Sequence, residues 1–208
     1  GIRRAGVDRS GLARCPAHGR APTQPGSRIG TTALTRQAED AEILSVVDST
    51  DSIVGEDRRD EIHRLGLRHR AIHALVFNPD GAVFLQRRGL HKQENPGMWD
   101  SSVAGHVDAG ESYDECCVRE IEEEVGLVLD CVPPRLFKLD ATAVTGMEFA
   151  WVYRVETDQA LRLNEQEMSG GDWFDPVELD NWVDSGDPSL SGVFCLIWKT
   201  YRNLPNPA

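Results

Sequence analysis

From Glu42 onward the apolar residues fall into short runs separated by turn residues, whereas before Gln37 no apolar period is sustained. The run at 43–47 predicts a first strand, closed by the turn-rich Asp48-Ser49-Thr50-Asp51. A short helix over 58–65 should stop at Gly66, which can take the left-handed backbone shape of a C-cap. Runs at 71–77 and 82–86 flank Asn78-Pro79-Asp80-Gly81, a strong hairpin turn. A loop with Asn95-Pro96-Gly97 follows, then a short strand near Val103 and a helix beginning near Tyr113. Further strands are expected at 136–139, 148–155 and 173–174, and helices at 176–183 and 190–201. Strands and helices interleaved this way predict an α/β fold with a mixed sheet packed between helices. The expected organisation is a disordered basic tail over 1–38 and one domain over 39–208.

Composition adds limits. Hydrophobic residues make up 40% and charged residues 27% of the 208, as in an ordinary soluble globular chain. No apolar run approaches the roughly 20 residues of a membrane-spanning helix, so no membrane role is expected. The net charge of −12 is uneven: residues 1–38 hold seven arginines and the single acid Asp8, leaving the rest at −18. Such an acidic body would repel a nucleic acid backbone, so a DNA or RNA partner is not expected. The tail's arginine bias resembles an organelle transit peptide, but without an amphipathic face it reads as dispensable. The five cysteines show no CxxC pair, which suits a reducing, cytoplasmic setting. Cys116 and Cys117 are expected to act as small buried apolar groups.

The candidate chemistry lies between Gly105 and Leu127. Ser112 with Glu115 forms a capping box, so the helix should begin at Tyr113, and Gly126 should end it. Glu120, Glu123 and Glu124 then share one sector, with Cys117, Val118, Ile121 and Val125 on an adjacent, core-facing one. Three crowded carboxylates weaken a helix unless something neutralises them. Mg²⁺ does so with carboxylate oxygens while sharing its shell with substrate phosphates. A coordinated water becomes easier to ionise, and a glutamate not fully engaged by the metal can accept its proton. The plainer reading is an acidic solvated face with Arg119 pairing locally.

The complete pattern favours chemistry. Gly105, Glu111, Arg119, Glu120, Ile121, Glu123, Glu124, Gly126 and Leu127 match the Nudix box, G-x5-E-x7-R-E-U-x-E-E-x-G-U with U aliphatic. Nine specified positions would coincide by chance with a probability on the order of 10⁻⁷ per chain. The resemblance implies an α/β/α sandwich with a loop–helix–loop metal site. It implies Mg²⁺, with Mn²⁺ as the alternative, held by Glu120, Glu123 and Glu124. The Gly105 carbonyl and Glu111 are implied as supporting members, and Arg119 as the residue that orients the box.

The flanks, including Leu85-Gln86-Arg87-Arg88, Lys92, Pro96-Gly97-Met98-Trp99 and Ala104-Gly105-His106, resemble type I isopentenyl-diphosphate isomerase and bacterial hydrolases that share its front half. The isomerase places a nucleophilic cysteine where this chain has Ala104, which disfavours isomerase chemistry. That comparison makes Arg88 and Lys92 candidates for substrate phosphate, and Glu148 a further candidate at the substrate, as base or ligand. His73 and His106 are conceivable ligands against the commoner role of hydrogen-bonded structural histidines. Trp99, Trp151 and Trp173 could stack on a base, although core packing is the default. Glu165 and Glu167 precede a strand where some hydrolases carry an extra glutamate. The expectation is a Mg²⁺-dependent hydrolase of a nucleotide-type small-molecule diphosphate, with a non-catalytic ligand sensor as the alternative from another class. Monomer and homodimer both stay open.

Overall fold

The computed structural model describes residues 42–205, so the tail expected over 1–38 lies outside the described residues. In chain order they form β1 (Ile43–Val47), β2 (Ile53–Arg58), α1 (Arg59–Leu65), β3 (His69–Phe77), β4 (Val83–Arg88), β5 (Trp99–Asp100) and β6 (Val103–His106). There follow α2 (Tyr113–Val125), β7 (Arg135–Leu139), β8 (Glu148–Glu156), β9 (Met168–Phe174), α3 (Pro176–Ser185) and α4 (Gly192–Arg202).

β3 is the centre of the sheet. Eight of its nine residues are buried, as expected of a strand covered on both faces. Ala71, Leu75 and Phe77 pack with Leu179, Val183, Phe194, Ile197 and Trp198 of α3 and α4. Ile72, Ala74 and Val76 pack with Tyr113, Cys116, Cys117, Ile121 and Val125 of α2. The strand's two-residue period therefore sorts its side chains between two helical layers, an α/β/α sandwich. Both cysteines of α2 are free and fully buried, as small core groups.

One edge of β3 runs parallel to β8, with antiparallel β7 beyond. The other edge is divided. β4 pairs with β3 only at Val76↔Phe84 and Phe77↔Val83, and β6 takes over at Ala71–Ala74. β5 pairs instead with the far end of β4, at Gln86 and Arg87, while β9 lies along the opposite edge of β4. The sheet thus splits between β3 and β4, and the segment from Trp99 to His106 bridges the split.

β2 and the two-residue β5 were not expected, and β9 is longer than expected. β2 carries no alternating apolar face; it is an exposed edge strand held by its pairing with β1. The Asp48–Asp51 cluster is the turn of this hairpin, where Asp48 Oδ1 accepts from the Thr50 and Ser52 amides. β9 begins at Met168, well before the expected residue 173, because Gly170 and Gly171 mask it in the sequence. Gly171 is needed there: a Cβ would lie 2.1 Å from the Phe84 ring.

Candidate active site

A cavity of about 180 Å³ opens where the strands part. Its walls come from β3, β4 and β6, from α2, and from the loops carrying Lys92, Glu94 and Glu167. Eight carboxylates line it (Glu42, Glu94, Asp100, Glu120, Glu123, Glu124, Glu148, Glu167) against four arginine or lysine side chains (Arg59, Arg88, Lys92, Arg119). That imbalance suits a cation.

The helix that supplies three of these carboxylates is fixed at both ends. Ser112 Oγ accepts from the Glu115 amide, and the Glu115 carboxylate accepts from the Ser112 amide at 2.9 Å. At the C-terminus Gly126 takes φ 70° and its N–H reaches the Glu122 carbonyl. The buried stripe of Cys117, Ile121 and Val125 turns the glutamates toward β6.

The three glutamates are not equivalent. Glu124 is 4% exposed and accepts from Gln86 Nε2 and the Ala104 amide, each at 3.3 Å. Glu120 lies directly over Gly105, where a Cβ would come within 2.1 Å of its carboxyl carbon. Glu123 stands at the exposed rim. Burial pushes Glu120 up to about 7 against the pull of Arg119, and the charges of Glu123 and Glu167 add to the rise. Burial, then the charges of Glu120 and Glu167, push Glu124 well above the usual carboxylate range. These are carboxylates short of positive charge, a donor set that fits a hard divalent ion.

Arg119 ties the loop to the helix. Its Nε and Nη2 each donate to Glu111 at 2.9 Å, Nη1 donates to Glu120 at 2.7 Å and to Glu123 at 3.3 Å, and Nη2 reaches the His106 carbonyl. Glu111 spends both oxygens on Arg119 and also accepts from the Asp108 amide. It does not line the cavity, so its place differs from that of a metal-facing member: it holds the guanidinium.

Arg88 and Lys92 both line the cavity. Arg88 donates to the Glu94 carbonyl at 3.0 Å, and Lys92 is ion-paired with Glu167. Glu165 does not line the cavity. Glu148 lines the same cavity as Arg88 and Lys92. Its partners are His106 Nε2 at 3.1 Å and His69 Nε2 at 3.5 Å. Burial would raise its pKa, but the hydrogen bond with His106 and the nearby His69 ring hold it well below the usual range. His73 is buried and hydrogen-bonded to Ser101 Oγ at 2.7 Å, apart from the other histidines. None of the three tryptophans lines the cavity: Trp99 packs on Phe174 and Trp182, Trp173 on Phe84, and Trp151 lies under Arg135. His63 and Glu94 were not singled out from the sequence, because their proximity depends on how a helix and a loop pack against the sheet.

The sequence model of the NUDIX domain matches residues 67–193. An uncharacterised Nudix hydrolase of Nostoc sp. is 33% identical over 79% of this chain and 99% of its own. An isopentenyl-diphosphate Δ-isomerase of Serratia proteamaculans is 30% identical over 76% of this chain and 90% of its own. A crystal structure from Deinococcus radiodurans superposes with a TM-score of 0.68 at 28% identity, covering 76% of this chain and 98% of that one. Together with the sandwich and the glutamate-lined cleft, these matches show that the chain belongs to the Nudix hydrolase family.

Proposed function

We propose that this hydrolase cleaves a phosphoanhydride bond in a nucleotide-type small molecule, using Mg²⁺ or Mn²⁺ held by Glu120, Glu123 and Glu124. The observation that carries this reading is the pair of carboxylates beside Gly105 and Ala104, part-buried Glu120 and buried Glu124, raised in pKa and lacking enough cations to neutralise them. The Gly105 carbonyl would complete the donor set, since the absent Cβ lets Glu120 approach that backbone closely. A divalent ion bound there would polarise the anhydride and make a water easier to ionise.

The protein's own groups then have separate tasks. Arg119, fixed by Glu111, sets the direction of Glu120 and Glu123. Arg88 and Lys92 are suited to the non-bridging phosphate oxygens as charged donors on the cavity wall. Lys92 would exchange its partner Glu167 for phosphate, leaving that carboxylate available to accept a proton.

The test is a phosphate-release screen over nucleotides, nucleotide sugars, dinucleotides and prenyl diphosphates, with wild type and Glu120→Gln. Turnover on a nucleotide-type substrate should fall by about 10²–10⁴-fold in the variant. Unchanged turnover would refute the glutamate assignment. Conversion of a prenyl diphosphate to an isomer without phosphate release would refute the hydrolytic reading, although Ala104 offers no thiol on the cavity wall.

A further inference from the structure

Val83 and Leu85 of β4 pack with α3 and α4, whereas Phe84 packs with α2. The two-residue period of the strand therefore puts Gln86 on the Phe84 side, toward the helix that carries the glutamates. An apolar residue would continue that row. Gln86 is 1% exposed and is flanked in the sheet by Asp100 of β5 and Gly171 of β9. A carboxamide taken out of water is costly unless its polar atoms are used. Its Nε2 donates to Glu124.

We propose that Gln86 is a positioning residue for the divalent-ion site: with the Ala104 amide it fixes Glu124 through one carboxylate oxygen and leaves the other to the cation. This rests on Glu124 being a metal ligand, as proposed above. The two hydrogen bonds end on the same atom, Oε2, so neither of them occupies Oε1. Their donors belong to different strands, β4 and β6, on either side of the split in the sheet. Oε2 is thus pinned between two strands, and the planar carboxyl group then sets the direction of Oε1.

The character of the donors matters as much as their position. Both are neutral amides. Glu111, in contrast, gives both oxygens to the Arg119 guanidinium and does not line the cavity. A cation held beside a carboxylate neutralises it and repels a second cation. An amide holds the carboxylate and leaves its charge for the ion. A buried lysine at position 86 would satisfy Glu124 equally well as a folding partner but would spoil it as a ligand. Metal affinity therefore separates a positioning role from a purely structural one.

Chelator-stripped full-length protein is titrated with Mn²⁺, with free Mn²⁺ followed by electron paramagnetic resonance, and the metal-free melting temperature is recorded for each variant. Wild type should bind Mn²⁺, and Glu124→Gln should lose most of that affinity. Gln86→Met, similar in shape but without a donor, should bind about 10–100-fold more weakly, the loss that follows removal of a group orienting a metal ligand. Gln86→Lys should bind more weakly still, yet melt no lower than Gln86→Met without metal, because its ammonium takes the place of the ion. Wild-type affinity in Gln86→Met overturns the proposal, while loss in Glu124→Gln keeps the metal site itself intact. Wild-type affinity in Gln86→Lys overturns it equally, and decides the matter should Gln86→Met fail to fold. No Mn²⁺ binding by wild type, or full binding by Glu124→Gln, refutes the metal-site reading and this proposal with it.

Discussion

At the scale of single residues, the absence of a side chain at Gly105 matters as much as the glutamates. Its backbone angles are not in the left-handed region, so the requirement is for space, not conformation. Gly105→Ala would place a methyl group where the Glu120 carboxyl group now sits. Glu120 must then move, and a displacement near 1 Å at a reacting centre can lower kcat by about 100-fold. The melting temperature should change little, because the side chain that yields is not part of the apolar core. A variant with wild-type kcat would show that the close approach is incidental. Glu120 and Glu124 also set a pH dependence. Their folded-state values are raised, Glu120 from 4.5 to about 7, so their contribution to metal-free stability is full below 4.5. The Glu120 share is lost as pH rises through about 7. Mg²⁺ should therefore raise the melting temperature more at pH 8 than at pH 5, and this difference should shrink in Glu120→Gln. Equal shifts at both pH values would contradict the assignment.

At the scale of elements, α2 is fixed at both ends, and β1–β2 is attached through backbone hydrogen bonds of β1, its buried Leu44 and Val47, and one charged side chain. Removing the capping box with Ser112→Ala should cost about 1 kcal/mol in a denaturant titration. Its effect on kcat should be small, because the buried stripe still sets the rotation of the helix. Asp51 is the side chain that ties the turn of the hairpin to the rest of the molecule. Its carboxylate takes Arg70 Nε at 2.7 Å, Tyr113 OH at 2.9 Å, and the Lys138 ammonium. Burial alone would raise its pKa, but these partners lower it below 3.8. A depressed carboxylate contributes stability above its unfolded value and loses it as pH falls through the folded one. Asp51→Asn should thus be less stable than wild type at pH 7, and the gap should close below pH 3.8. A gap independent of pH would mean that shape, not charge, anchors the hairpin.

At the scale of the whole molecule, the split between β3 and β4 creates the cavity, and β6 gives it two chemically different sides. The capping box, the Gly126 stop, the rotation of α2 and the hairpin at Asn78–Gly81 were all legible in the chain. Each depends on neighbours only a few residues apart, where backbone geometry leaves few choices. β2 was not legible, because an exposed edge strand needs no apolar pattern and takes its shape from pairing with β1. The histidine cluster was not legible either. His63, His69, His106 and Glu148 come from four elements and meet only through the β3–β6 and β3–β8 registers. The sequence alone determined that glutamates three and four residues apart would share a helical sector, because helix periodicity is local. Tertiary structure alone decided that Glu124 would be buried, Glu120 would sit against Gly105 and Glu123 would reach solvent. Burial depends on which strand lies beneath each turn of the helix, and strand register is a long-range property.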